Sequence, residues 1–226
     1  MALGFNEGAA GPRAVYDPGA VIDPAFVPPE VDFSRFAFAP VMHPTEPWEV
    51  FDFTRGYDPD RALSSAFGVG RYDEHRPTMY SAALFGGEAR REVHMGIDLG
   101  APVETPVYAF AAGEIVHQGY NPAPGDYGHV RVTAHALGPH TLYALWGHLS
   151  ARSLGLHAVG ARFEAGARLG TVGDRHENGG WNPHLHLQLS WVRPETHDLP
   201  GVVTLADRAA ARRLFPDPRL VLGPLY

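Results

Sequence analysis

Beyond about Phe67 the chain is written in short β-branched and aromatic runs broken by glycine, the pattern of a β-sandwich or barrel. The candidate strands are Val107–Ala111, Glu114–Gln118, His129–Ala136, His140–Trp146 and His184–Trp191. Turn signals stand between them, among them Asn121-Pro122, Pro124-Gly125-Asp126 and Asn178-Gly179-Gly180. With 26 glycines and 21 prolines in 226 residues, many short strands and turns are favoured over long helices. The length suffices for one sizeable core, or for one domain with large extensions.

Before that region, residues 1–65 are rich in proline and in single aromatics such as Phe26, Phe33, Phe36, Phe38, Trp48, Phe51 and Phe53. Proline-rich chain without apolar anchors is usually disordered. These anchors predict instead an irregular arm lying across the domain surface and narrowing its cleft. Residues 66–200 form the expected β-domain, and 201–226 a C-terminal helix and tail. Thr204-Leu205-Ala206-Asp207 has the spacing of a helix cap with an acidic third residue, so a short helix should follow and stop before Pro216.

Charge and composition remove several functions. A net charge of −7 opposes nucleic-acid binding, which needs clustered positive charge. All 18 basic residues are arginine, so Schiff-base, lipoyl-lysine and biotinyl-lysine chemistry is excluded. Without cysteine there is no disulfide framework, zinc knuckle or thiol nucleophile. No apolar run approaches the roughly 20 residues of a membrane span, and no basic-then-apolar leader is visible at Met1–Ala20. The expectation is a cytoplasmic protein with no membrane or nucleic-acid partner, although a periplasmic or extracellular chain shorn of its leader would read the same.

Two histidine pairings stand out among 13 histidines. One is His94-Met95-Gly96-Ile97-Asp98, the other Pro183-His184-Leu185-His186-Leu187. Neither spacing is specific alone. In a strand, residues i and i+2 share a face, so His184 and His186 project together, away from Leu185 and Leu187. Two buried imidazoles side by side are costly unless paired or bound to metal. Two histidines and one carboxylate leave a tetrahedral position for water, the arrangement of catalytic zinc. Harder cations want more oxygens than these motifs offer. His148 follows an apolar strand, where a histidine usually needs a polar partner.

From these residues the sequence resembles the lysostaphin-type metallopeptidases. His94-Met95-Gly96-Ile97-Asp98-Leu99, Thr105-Pro106-Val107-Tyr108-Ala109, Gly113-Glu114-Ile115-Val116, Tyr127-Gly128-His129-Val130, Gly147-His148-Leu149-Ser150, Gly160 through Gly173, and Pro183-His184-Leu185-His186 occur in that family's order over roughly residues 86–191. The resemblance implies a mainly β fold, an antiparallel sandwich or barrel-sandwich hybrid. It implies one Zn2+ per chain held by His94, Asp98 and His186, with His148 and His184 beside it as catalytic histidines. Trp146-Gly147 departs from the tyrosine–alanine usual before the strand histidine. The flanks Gly68–Glu74 and Glu177–Trp181 look like a subgroup fused to class III aminotransferase-like and kinase-like modules, whose members need not meet a cell wall.

The bland alternatives are a turn-ordering His94–Asp98 hydrogen bond, a polar strand face at His184 and His186, and a core histidine at His148. His117, His129, His135, His140, His157 and His176 read as surface or structural. Glu177 sits in a glycine- and asparagine-rich turn and reads as a loop residue, and Glu74 with Arg76 as an ordinary surface pair. The expected function is zinc-dependent hydrolysis of an amide or peptide bond with a histidine general base, on a peptide or small amide and not on intact peptidoglycan. The alternatives are a hydrolase of a peptidoglycan cross-link peptide and a non-catalytic binding domain of the same fold.

Overall fold

The computed structural model describes residues 22–58, 64–85 and 90–226; residues 1–21 and 59–63 of the expected arm lie outside the described residues. The chain-order strands are β1 (Glu49–Val50), β2 (Gly68–Gly70), β3 (Glu74–His75), β4 (Val93–His94), β5 (Ile97–Gly100), β6 (Pro106–Tyr108) and β7 (Gly113–Asn121). They continue as β8 (Gly128–Leu137), β9 (His140–Leu149), β10 (Arg162–Phe163), β11 (Arg168–Thr171), β12 (His184–Ser190) and β13 (Val202–Val203). Two helices close the chain, α1 (Arg208–Leu214) and α2 (Arg219–Leu222).

Eight strands form an open sheet in the order β1-β2-β5-β12-β9-β8-β7-β10, with β6–β11 and β3–β4–β13 as smaller sheets. Every pairing is antiparallel except β1 with β2. The fold is therefore mainly β, with no closed barrel among the described residues.

Alternation along β12 explains how the sheet carries both core and site. Leu185, Leu187 and Leu189 are buried on one face, with Ile97 and Leu99 of β5 beside them in the same apolar cluster. His184, His186 and Gln188 take the opposite face, as period two demands. The arm covers the leucine side: Phe33, Phe36, Phe38 and Trp48 pack against that cluster, and Val41 and Met42 are buried within it. On the other side α1 inserts Ala210, Ala211 and Leu214 among Val93, Met95, Val132 and Leu145. The hydroxyl of Thr204 accepts from the Asp207 N–H at 3.1 Å, capping the turn into α1, and α1 ends before Pro216 as expected.

Candidate metal centre

One row across the large sheet builds most of the centre. Gly70 of β2, Asp98 of β5, His186 of β12 and Gly147 of β9 lie side by side in register. Glycine at both ends is a matter of space. A Cβ on Gly70 would stand 2.8 Å from Asp98 Oδ2, and one on Gly147 2.7 Å from the Tyr127 ring. His94 enters from β4, and the Met95-Gly96 turn folds it over the row. A Cβ on Gly96 would meet the His186 ring at 2.5 Å.

His94, Asp98 and His186 converge. His94 Nδ1 is 3.0 Å from the Arg71 carbonyl, which can only accept, so that nitrogen carries the proton. Gln188 Nε2 donates to the Pro200 carbonyl, which turns Oε1 toward His186 Nε2 at 3.2 Å. The remaining nitrogens, His94 Nε2 and His186 Nδ1, thus present lone pairs to each other at 3.0 Å. Both also face Asp98 Oδ1, at 3.2 and 3.1 Å. Three electron-rich atoms at such separations repel unless a cation sits among them. The donor set, two imidazoles and one carboxylate whose outer atoms are already hydrogen-bonded, fits zinc.

Asp98 is oriented from beneath. Arg76 Nη1 donates to its Oδ2 at 2.8 Å, leaving Oδ1 for the cavity, while Arg76 Nε donates to Glu74 Oε2 at 2.9 Å. Glu74 and Arg76 are buried, so the expected surface pair is overturned. A buried pair of this kind persists because each charge finds several partners: Glu74 also accepts from Arg71, and Arg76 also reaches the Tyr80 hydroxyl at 3.0 Å. Burial alone would raise the Asp98 carboxyl, but His94 and Arg76 outweigh it and hold it well below the usual range. Burial, aided by the Arg76 charge, lowers His94 to about 4, so it is neutral at pH 7.

His148 and His184 stand beside this group, with ring centroids 4.2 Å apart. His148 Nδ1 donates to the Asn178 carbonyl at 2.8 Å and His184 Nδ1 to the Asn182 carbonyl at 2.6 Å. Each therefore keeps an Nε2 lone pair free of those carbonyls. Burial depresses both, His148 strongly, with the nearby imidazoles adding to it. His148 has φ 62°, a left-handed backbone that few residues other than glycine adopt. Its N–H goes to the Tyr127 carbonyl and its carbonyl takes the Gly173 N–H, so its backbone leaves the β9 ladder. Strain of this sort concentrates at functional positions.

The structure thus brings all five expected residues together around one cavity of about 80 Å³, which Tyr80, Tyr127, Trp181 and Asp198 also line. Glu177 is a loop residue, as expected. Its carboxylate accepts from the N–H groups of Ala151 and Asp174 and orders their turns. His135 is buried and structural, while Tyr80 was missed and Arg76 was placed at the surface, because nothing in their local sequence marks them as buried.

A β-scaffold presenting two imidazoles, a carboxylate and two further histidines to one cavity has the make-up of a mononuclear metallohydrolase. The model of peptidase family M23 matches residues 92–198, the stretch holding those five residues. DD-carboxypeptidase/endopeptidase Mpg of Neisseria meningitidis is 40% identical over 123 residues, which are 52% of this chain and 26% of that protein. Peptidoglycan DD-endopeptidase ShyC of Vibrio cholerae is 31% identical over 122 residues, again 52% and 26%. The chain thus spans about a quarter of the length of these relatives. The catalytic domain of lysostaphin from Staphylococcus simulans is 20% identical with a TM-score of 0.39, covering 62% of this chain and 86% of that one.

Proposed function

We propose that the protein is a zinc-dependent peptidase, with the metal held by His94 Nε2, His186 Nδ1 and Asp98 Oδ1. The carrying observation is the inward convergence of three electron-rich atoms whose outer partners are already fixed. When bound, zinc lowers the pKa of its water to about 7 and supplies hydroxide near neutrality. His148 and His184, neutral and with Nε2 unprotonated, are each equipped to take a proton from the attacking water. The one that does so becomes an imidazolium, which then hydrogen-bonds the oxyanion or returns the proton to the leaving amine. The tautomers make either suitable as the base and do not divide the two parts between them.

The substrate we propose is a short peptide. The names of the two curated relatives favour a second reading, a peptide cross-link of peptidoglycan. The resemblance of Gly68–Glu74 and Glu177–Trp181 to modules of fused, multidomain proteins supports the first, as does the lack of any lysine-rich patch. Protein purified without chelator should carry about one zinc per chain by elemental analysis and lose hydrolysis on chelation. Absence of transition metal even after zinc soaking would remove the proposal. Zinc-loaded protein is then offered purified sacculi and short glycyl and D-amino-acid peptides. Muropeptide release as fast as the best peptide would establish the second reading.

A further inference from the structure

A second hollow, of about 390 Å³, opens beside the metal-ligand cavity and shares Met79, Asp98, Trp181 and His184 with it. Its outer wall comes from chain outside the 92–198 peptidase segment. Phe51, Phe53 and Tyr57 follow one another at ring-centroid spacings of 5.5 and 6.0 Å, and Tyr57 meets the edge of Trp181 at 6.1 Å. Its floor is made of residues with almost no side chain: Gly68, Gly70, Gly100 and Ala101. Gly68 lets the wall close down, since a Cβ there would lie 2.3 Å from the Phe51 ring.

An aromatic wall over a floor of glycine and alanine leaves room for a large group and offers it apolar contact. Among the described residues no arginine lines the hollow, while Asp58 and Asp98 do. Asp98 is already held by Arg76 Nη1 at 2.8 Å, so the aromatic wall and the bare floor offer most of the contact, which suits an uncharged apolar group. The hollow is also continuous with the candidate reaction centre through His184, so a chain bound across the centre runs into it.

We propose that this hollow is a specificity subsite, which takes a bulky apolar side chain of the peptide at a residue flanking the bond presented to His184. The proposal rests on the peptidase reading for its substrate class. The arm segment 51–58 then acts as a selector, adding a preference that the peptidase segment alone does not build. One well-matched apolar side chain in such a pocket discriminates by roughly tenfold or more.

The test reads binding and turnover separately. The full, zinc-loaded chain, carrying ¹³C-methyl methionine, is titrated with Gly-Gly-Phe-Gly-Gly, Gly-Gly-Glu-Gly-Gly and pentaglycine. The Met79 methyl resonance should saturate with the phenylalanyl peptide at a concentration at least tenfold below the other two. Met42, buried in the core, should stay still and reports an intact fold in every variant. Ala66→Trp, at an exposed residue lining the hollow, should fill it and abolish the preference. Tyr57→Ala, which removes part of the wall, should weaken the preference severalfold without loss of zinc. Equal saturation by all three peptides, or a preference unchanged in both variants, overturns the subsite. Preferential binding with no cleavage of any peptide would keep the subsite and sink the peptidase reading. Cleavage with no side-chain preference would do the reverse.

Discussion

At the scale of single residues, the site is defined by which nitrogen of each histidine is already engaged. Arg71, Gln188, Asn178 and Asn182 each accept from one ring nitrogen and so direct the other inward. In the proposed reading, holding a metal and moving a proton fall to different residues, and substitution should separate them. His148→Ala and His184→Ala are expected to retain zinc and lose about 10²–10⁴ in kcat, the usual worth of general acid–base help. Asp98→Ala and His186→Ala should lose zinc and activity together. Elemental analysis beside single-turnover rates checks both, and zinc lost from His184→Ala but kept in His186→Ala would reverse the pair. The H-x-H strand and H-x-x-x-D loop were legible because their donors are close in sequence. Arg76 and Glu74 were not, because their burial depends on Gly70 and Asp98 lying opposite one another on strands far apart in the chain.

Among elements, the loop after β11 contributes as much as the strands. Asn178 has its side-chain amide tied to Gly173 and Trp181, and its carbonyl fixes the tautomer of His148. The loop reaches that place because Gly128, at φ 63°, opens β8 with nothing on its Cα. An added Cβ would lie 2.3 Å from the Glu177 carbonyl oxygen. Gly128→Ala should therefore cost about 1–3 kcal/mol for the left-handed backbone alone. By displacing Asn178 it should also lower kcat while zinc content holds. Thermal unfolding and rate assays on the variant test this, and a destabilised variant with wild-type kcat would detach the loop from His148.

The long strands β7, β8, β9 and β12 were all readable from alternation, though the structure extends three of them beyond the expected ends. The strand expected at Val107–Ala111 is the shorter β6, Pro106–Tyr108, and the brief strands β2, β4 and β5 were not foreseen, since such lengths carry no period and are fixed by partners. The departure of His148 from its ladder was likewise invisible, because a bulge is a property of two paired strands.

Across the whole molecule the large sheet is covered on both sides, by the arm over the leucine face and by α1 over the other. Such double cover makes room for polar groups in the interior only where each is matched. Trp146 Nε1 donates to the Thr133 hydroxyl at 2.8 Å, which in turn lies 2.7 Å from His135 Nε2. His135 Nδ1 donates to the Ala112 carbonyl at 3.2 Å, while Phe110 packs on the ring at 4.2 Å. That chain of donors holds His135 neutral, and burial lowers its pKa from 6.5 to about 4.

The sign follows from proton binding. Between pH 6.5 and about 4 the unfolded chain takes up a proton at this position that the folded one refuses, so the stability it contributes is full above 6.5 and is lost as pH falls through about 4. A shift from 6.5 to about 4 corresponds to roughly 3 kcal/mol of such dependence. Asp98, depressed in the fold, adds an acid-side slope of the same direction, so the His135 part must be taken as a difference. His135→Gln keeps a polar group in the network and cannot titrate. Metal-free wild type should therefore lose more stability than metal-free His135→Gln between pH 7 and pH 4, by urea unfolding at a series of pH values. Parallel curves for the two proteins would show that His135 takes up its proton in the folded core as readily as in the unfolded chain.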